Sequence, residues 1–478
     1  MARQRRDLSD RQQQRDAVKQ KRIQEQKRLR RRFIMMLAIL FSCAAAVFII
    51  AKNNKLLVFP EPGETQVQEE TAATEQTEAP TEDPHRPKHQ PVKTIHIRAA
   101  GDLNVTSNVV DSGRVGKRYD FTQSFIDVQA LLSEADWTVL NFEGNICGEP
   151  YGSETRSAPA ELLTALVKAG VDMVQTANSY SVHNGLIGMT ATLQSIRNSG
   201  LIPIGSYTSP QEFARRKGYD IVTIGGVKVA FVAFTKGVGG MGMPAGNEDC
   251  VNLLYEDYDS TYQKVDKKRI TRVLRAAEAE KPDITIAMLH WGSEYNDKIS
   301  KTQEEITELM MAEGVDVILG SHPHTVQKIV HDKEAGTLIA YSLGDFYGDA
   351  NRAGTNYSII LDLEITKDEA AATCKVTDFS YFPIYTLSQE EREEKNSVIR
   401  QVVRIGTAMQ ARDGNFVDRV TADAYNSMQY SLTRITDRVR NMDEIRELEK
   451  EEQKKQERRE KKKNKNKDKE EKSDSEKK

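Results

Sequence analysis

The chain has 478 residues, 38% of them hydrophobic, and a formal net charge of −3. That length supports a large core and more than one segment. Four cysteines without a CxxC spacing exclude a disulfide framework and a zinc ribbon, and leave one bridge among Cys147, Cys250 and Cys374 open.

The charge is unevenly placed. Residues 1–32 are dense in Arg and Lys, a pattern that by itself suits nucleic acid. The next stretch argues against that partner. Phe33 to Ala51 is free of charge and almost wholly apolar. As a helix it would span about 28 Å, close to a bilayer's hydrocarbon core. The basic block then reads as a topology signal and an anionic-lipid contact, with the N-terminus cytoplasmic and everything after Lys52 outside the cell. No clear small-x-small cleavage site follows Ala51; Ala44 to Ala46 inside the run leave cleavage open, and an uncleaved, single-pass anchor is the favoured reading. Residues 52–92 are rich in Glu, Thr, Gln and Pro and read as a disordered stalk.

Order is expected from Lys93. Thr94 to Ala100 reads as a strand that delivers Gly101-Asp102. Trp137 to Phe142 reads as another, leading into Glu143. Pro159 to Ala169 has helical apolar spacing and a stop at Gly170. Val171 to Thr176 is a strand running into Ala177-Asn178-Ser179-Tyr180. A helix over Gly185 to Asn198 and a short strand over Ile202 to Ile204 follow. Gly225-Gly226 between two apolar runs signals a β-hairpin. Residues 236–247 are glycine-rich but lack a phosphate-loop pattern, and read as a flexible loop or lid. Helices are expected over Lys264 to Glu280 and Thr302 to Glu313. Between them, Ile284 to Leu289 is a strand ending at His290.

Val315 to Leu319 is a further strand, leading into GSHPHTVQ at 320–327. The proline between His322 and His324 fixes its own φ and favours an extended His322, so both imidazoles would sit on a rigid, extended turn. More strands are expected over Leu338 to Ser342 and Tyr357 to Ile365. The pattern is that of an α/β domain with a mixed sheet over residues 93–388. Residues 389–441 read as a helical extension, with helices over Val398 to Met409 and Ala422 to Val439. Residues 442–478 form a charged tail, either a solvated helix or disordered.

Five polar clusters share one property. Asp102, Asn141 with Glu143, Asn178, His290 with Glu294, and His322 with His324 each lie at or just past a strand end. Open α/β sheets bind ligands at the carboxyl ends of their strands, and this residue set suits a divalent metal. Three of the chain's eight histidines fall in these clusters. His85, His89, His96 and His331 read as uninvolved.

These residues also carry a resemblance. GDLN at 101–104, NFEG at 141–144, HWGSEY at 290–295, GSHPHTVQ at 320–327 and YSLGDF at 341–346 resemble, in order, the motifs of the CapA family of poly-γ-glutamate capsule synthesis proteins. The resemblance spans about residues 94 to 385. It implies a metallophosphoesterase-like sandwich of two β-sheets flanked by helices. It also implies Asp102, Glu143, His290, His322 and His324 as metal ligands, for Mn, Fe or Zn. Asn178 and Glu294 would orient substrate or water. Asn141 either caps a turn or touches substrate, and Trp291 is core or pocket wall.

The chain departs from the family pattern at one place. Where the family usually has Ala-Asn-Asn-His and an Asp three residues on, this chain has Ala177-Asn178-Ser179-Tyr180, then His183. Serine is a poor neutral ligand and a tyrosine cannot readily replace an imidazole near pH 7. His183 is the candidate substitute for the missing imidazole, and Tyr180 either plugs its space or lines the pocket. Asp345 stands where family members often have Asn, and would alter the charge or metal choice of the site. The implied role is the synthesis, export or anchoring of an anionic polymer at the cell surface. The implied partners are the membrane, cell-wall material and other capsule-assembly proteins, with no nucleic acid. A non-catalytic polymer-binding scaffold and an extracytoplasmic phosphoesterase are the competing readings.

Overall fold

The computed structural model of the chain describes residues 92–393, 398–413 and 420–440. The basic block, the apolar run expected to be an anchor, the stalk up to residue 91 and the charged tail lie outside the described residues. Among the described residues, no helix is long and apolar enough to cross a membrane.

In chain order the first half contains β1 (Lys93–Asn104), α1 (Ser107–Ser112), β2 (Arg114–Val115), β3 (Arg118–Tyr119), α2 (Thr122–Ser133), β4 (Trp137–Glu143), α3 (Glu161–Ala169), β5 (Met173–Gln175), α4 (Gly185–Ser199), β6 (Ile202–Ile204), α5 (Pro210–Arg216), β7 (Tyr219–Ile224) and β8 (Val227–Thr235). The second half contains α6 (Lys267–Glu278), β9 (Ile284–His290), α7 (Lys301–Ala312), β10 (Val317–Ser321), β11 (Ile329–Asp332), β12 (Thr337–Ala340), β13 (Asp345–Tyr347), β14 (Tyr357–Asp368), β15 (Thr373–Ser388), β16 (Arg400–Arg404), α8 (Ile405–Asp413) and α9 (Ala422–Val439).

Two mixed sheets face each other. One has the order β16-β15-β14-β1-β4-β5-β6, with β13 beside β1; the other runs β11-β12-β10-β9-β8-β7. Their inner faces meet in one core, where Ile97, Val139 and Leu361 of the first sheet join Phe231, Ile286 and Val317 of the second. The outer face of the first sheet is covered by apolar residues of α2 and α3, such as Phe125 and Leu166. That of the second is covered by Ile270 and Leu274 of α6 and Ile306 and Met310 of α7. The chain therefore forms the α/β sandwich of two helix-flanked sheets that the motifs imply.

One device recurs at the edge away from the strands' carboxyl ends. An aspartate just before a parallel strand brackets a residue of the neighbouring strand, giving its backbone N–H to that residue's carbonyl and accepting that residue's N–H on Oδ2. Asp136 does this to His96, with bonds of 3.0 and 2.8 Å. Asp172 does it to Thr138 at 2.9 and 2.8 Å. In the second sheet Asp283 brackets Lys228 at 2.7 and 2.7 Å, and Asp316 brackets Thr285 at 3.0 and 2.8 Å. Register is the quantity at stake, because a slip of one residue turns every side chain to the other face. With the strands pinned at their starts, their carboxyl ends arrive level.

Asp316 gives this device a pH signature. Burial pushes its carboxyl up to about 6, against the lowering effect of the Thr285 N–H. A folded-state value above the unfolded one means a stabilising contribution that is full below about pH 4 and lost as pH rises through 6. Asp316→Asn is therefore expected to stabilise the domain by about 1–2 kcal/mol at pH 8, with the gain shrinking to nothing near pH 4. Thermal melting of both proteins across that range reads the difference; a gain that grows toward acid pH contradicts the assignment.

The segment after Gln389 differs from expectation. Arg400–Arg404 is a strand paired antiparallel with β15, Tyr385 opposite Val403 and Leu387 opposite Gln401; helix begins only at Ile405. Val402 packs toward the α2 side and Val403 into the inter-sheet core. Adjacent residues facing opposite ways is the period of a strand, so the helix expected over 398–409 is confined to its second half. α9 forms as expected, but its stripe of Ala424, Met428, Ile435 and Val439 joins the inter-sheet core, so this region is integral to the domain. Cys147, Cys250 and Cys374 are free thiols.

Candidate metal centre

Strands β1, β4, β5 and β6 run parallel, as do β8, β9, β10 and β12, so both sheets present carboxyl ends at one edge of the sandwich. Asp102 comes from β1, Glu143 from β4, His290 from β9, His322 and His324 from the turn after β10, and Asp345 from the start of β13. All six side chains are buried. Their donor atoms, with those of exposed Glu294, form overlapping groups within 4.8 Å: Glu143, His290 and His322; Asp102, His324 and Asp345; Glu294, His322 and His324.

The turn after β10 is not extended as the proline suggests. His322 has φ +90° and His324 φ +57°. A left-handed histidine is uncommon and costs energy, so tertiary contacts must hold it. One such contact is the His322 N–H, which donates to Asp102 Oδ2 at 3.0 Å. The turn also needs Gly320, where a Cβ would fall 1.9 Å from the Tyr341 carbonyl oxygen and 2.7 Å from Trp291 Nε1. Trp291 lies beneath it, wholly buried, stacked on Tyr341 and donating to the Tyr341 carbonyl at 2.9 Å. Trp291 is thus a core residue supporting the turn; it does not line a substrate pocket.

The electrostatics favour a cation. Burial raises Glu143 well above the usual carboxylate range, helped by the charge of Asp102; burial and Asp345 push Asp102 up to about 6 against the pull of His324. Burial works against a charged His324, yet Asp345, Glu143 and Asp102 hold its imidazolium well above the usual range. Its Nδ1 is 2.7 Å from Asp345 Oδ1. His290 and His322 go the other way: burial and neighbouring positive charge keep them neutral. Crowding favours protons on Glu143 and His324, and a divalent cation would displace them, leaving three carboxylates and three imidazole lone pairs as donors. This mixed oxygen and nitrogen donor set fits a divalent Mn, Fe or Zn ion.

The other expected residues divide. Asn141 sits at the centre: its Nδ2 is 2.6 Å from Asp102 Oδ1, 3.3 Å from Glu143 Oε1 and 3.3 Å from His290 Nδ1. It orients the donors from within, neither capping a turn nor facing outward. Asn178 is buried and donates to the Phe142 carbonyl at 2.7 Å, while its Oδ1 accepts the Tyr180 N–H at 3.0 Å. It shapes the 177–181 loop. Ser179 enters the site, with Oγ 3.0 Å from His290 Nε2. His183 does not: its Nε2 lies 2.8 Å from the Glu154 carbonyl oxygen, and its ring meets the edge of Tyr180. It belongs to none of the donor groups, because the turn after Tyr180 carries it away. Tyr180 lies under Arg156, its phenol pushed up to about 12 by burial, so it is no acid near neutrality.

Lys236, unmarked in the sequence, and Tyr295, the last residue of the 290–295 motif, complete the mouth. Lys236, directly after β8, donates to the Gly292 carbonyl at 2.8 Å and adds positive charge beside His290 and His322. Tyr295 stacks on His324 with ring centroids 5.6 Å apart. The one available signal for Lys236 was its place at a strand's carboxyl end, shared with His290.

Residues 96–350, more than half of the chain, match the family described as bacterial capsule synthesis protein PGA_cap. The chain belongs to this family. The matched span contains every donor residue above. The chain is 24% identical over 324 residues to the capsule biosynthesis protein CapA of Bacillus anthracis, covering 66% of this chain and 75% of that one. It is 26% identical over 250 residues to the PGA biosynthesis protein CapA of Bacillus subtilis strain 168, covering 50% of this chain and 60%, less than two thirds, of that relative. Among solved structures, the calcineurin-like phosphoesterase YfkN from Bacillus subtilis aligns over 72% of this chain and 98% of its own, at 15% identity and a TM-score of 0.38. A score that low carries nothing over to this chain's chemistry.

Proposed function

We propose that this chain is a membrane-anchored protein whose sandwich domain lies outside the cell and serves the synthesis, export or anchoring of an anionic capsule polymer of the poly-γ-glutamate type, together with other capsule-assembly proteins. The observation that carries this reading is the meeting of Asp102, Glu143, Asp345, His290, His322 and His324 at one strand edge of a capsule-family domain. These residues would hold a divalent metal, which when bound polarises a phosphoryl or acyl oxygen and activates water. Asn141 orients Asp102, Glu143 and His290, and Glu294 faces His322 and His324 from the solvent side, where it would position substrate or water.

Ser179 and Tyr180 favour a second reading, a polymer-binding scaffold. A hydroxyl meets His290 where the family pattern brings an amide, and Tyr180 brings no proton donor usable near neutral pH. Two measurements separate the readings. The full-length protein purified in detergent is expected to carry stoichiometric Mn, Fe or Zn by elemental analysis. The double variant Ser179→Asn, Tyr180→His is expected to raise phosphoester hydrolysis about 100-fold, the scale of one general acid or base. A metal-free protein that still binds polyglutamate leaves only the scaffold standing.

A further inference from the structure

Three cations ring the mouth of the donor cluster, and each rests on a tyrosine. The Arg156 guanidinium lies 4.1 Å from the Tyr180 ring centre, Lys236 Nζ 4.5 Å from that of Tyr262, and Arg352 4.4 Å from that of Tyr295. They come from three separate loops but lead to the same site. Arg156 acts electrostatically on Glu143 and donates to Asn104 Oδ1 at 2.7 Å, two residues beyond Asp102. Lys236 acts on His290 and His322. Arg352 continues a stack that starts at His324 and passes through Tyr295.

None of the three forms an ion pair among the described residues, although Arg156 and Lys236 are half-buried. Glu294 lies near enough to act on Lys236 but makes no ion pair with it. A half-buried cation that no carboxylate pairs directly is costly, and an incoming anion lowers that cost. The tyrosine faces hold the cations in place beforehand, so binding loses less side-chain freedom. A single small anion could meet one of these groups. Three cations on separate loops suit anionic groups repeated along one ligand.

We propose that Arg156, Lys236 and Arg352 form an anion-binding rim that takes successive carboxylate or phosphate groups of a single extended polyanion and feeds that chain across the donor cluster. This rests on the polymer reading above and assigns that polymer's contacts.

Binding of the full-length protein in detergent to four probes tests it: poly-L-glutamate, inorganic polyphosphate, monomeric glutamate and inorganic phosphate. At least one polymer is expected to bind at least tenfold more tightly than its monomer, with affinity falling as salt rises. Whichever polymer binds names the source of the anionic groups. Arg156→Gln and Arg352→Gln are each expected to weaken that binding roughly tenfold, with metal content and melting temperature unchanged in the Arg352 variant. Exposed Arg352 serves as the check should the Arg156 variant fold poorly. Polymer binding that is unchanged in both variants overturns the rim while leaving the polymer function intact. Monomers that bind as tightly as polymers overturn the extended ligand. A metal-loaded protein that binds no polyanion overturns the rim and leaves the metal centre standing.

Discussion

His322→Ala is expected to remove bound metal, lowering affinity by more than about 100-fold, since removing even an outer-shell partner costs 10- to 100-fold. His322 is the residue to choose because it belongs to two donor groups, one with Glu143 and His290 and one with Glu294 and His324. Its backbone N–H holds Asp102 Oδ2 at 3.0 Å, and that bond survives loss of the imidazole. Elemental analysis after dialysis gives the answer; full metal occupancy in the variant sinks the assignment. The backbone adds a second, independent expectation. At φ +90° an alanine is as strained as the histidine, whereas glycine is at ease. Metal-free His322→Gly should therefore melt higher than metal-free His322→Ala, by about 1 kcal/mol of stability. Equal melting temperatures would show that the turn stores no strain.

Gly101→Ala is expected to be the most disruptive small substitution in the domain. An added Cβ would lie 1.7 Å from the Gly344 carbonyl oxygen, less than any real contact allows. The neighbouring residue makes the contact necessary: the Asp102 N–H donates to that same oxygen at 2.9 Å. The β1–β4 register also shifts between Ala99 and Asp102, so the strand bulges just where it presents Asp102. Relief requires moving either β1 or the turn before Asp345, and both carry donors. A loss of roughly 3 kcal/mol or more is expected, with a fall in melting temperature of about 5–10 °C and with reduced metal content. A variant that melts and binds metal like the parent would show that β1 and the 341–346 turn are not in the contact described.

Much of the site was legible because its signals are local. Apolar runs ending in Asp102, Glu143, His290 and the 320–327 turn place those residues at strand ends without knowledge of the sheets. Asp345 was visible as a departure, but its role was not. It reads as a modifier of charge, and the fold seats it 2.7 Å from His324, inside the donor group. His183 failed for the opposite reason. Its nearness in sequence to Asn178 suggested a substitute imidazole, and a tight turn sends it to the Glu154 carbonyl instead. The strand at Arg400–Arg404 is hard to read from sequence because two adjacent buried valines in five residues fit a helix as well as a strand.

The sequence alone determined the family motifs, the α/β alternation and five of the six buried donors, because strand ends and turn residues are set by neighbours along the chain. The tertiary structure decided which donors meet. Asp102 and His322 are 220 residues apart and touch only because the two sheets pack face to face with level carboxyl ends. It also decided that Trp291 supports the turn from below and that Arg156, Lys236 and Arg352 surround one mouth. A lone arginine in a loop looks like any surface charge until a tyrosine from another loop is placed beneath it. That placement depends on long-range packing, which no local pattern in the chain encodes.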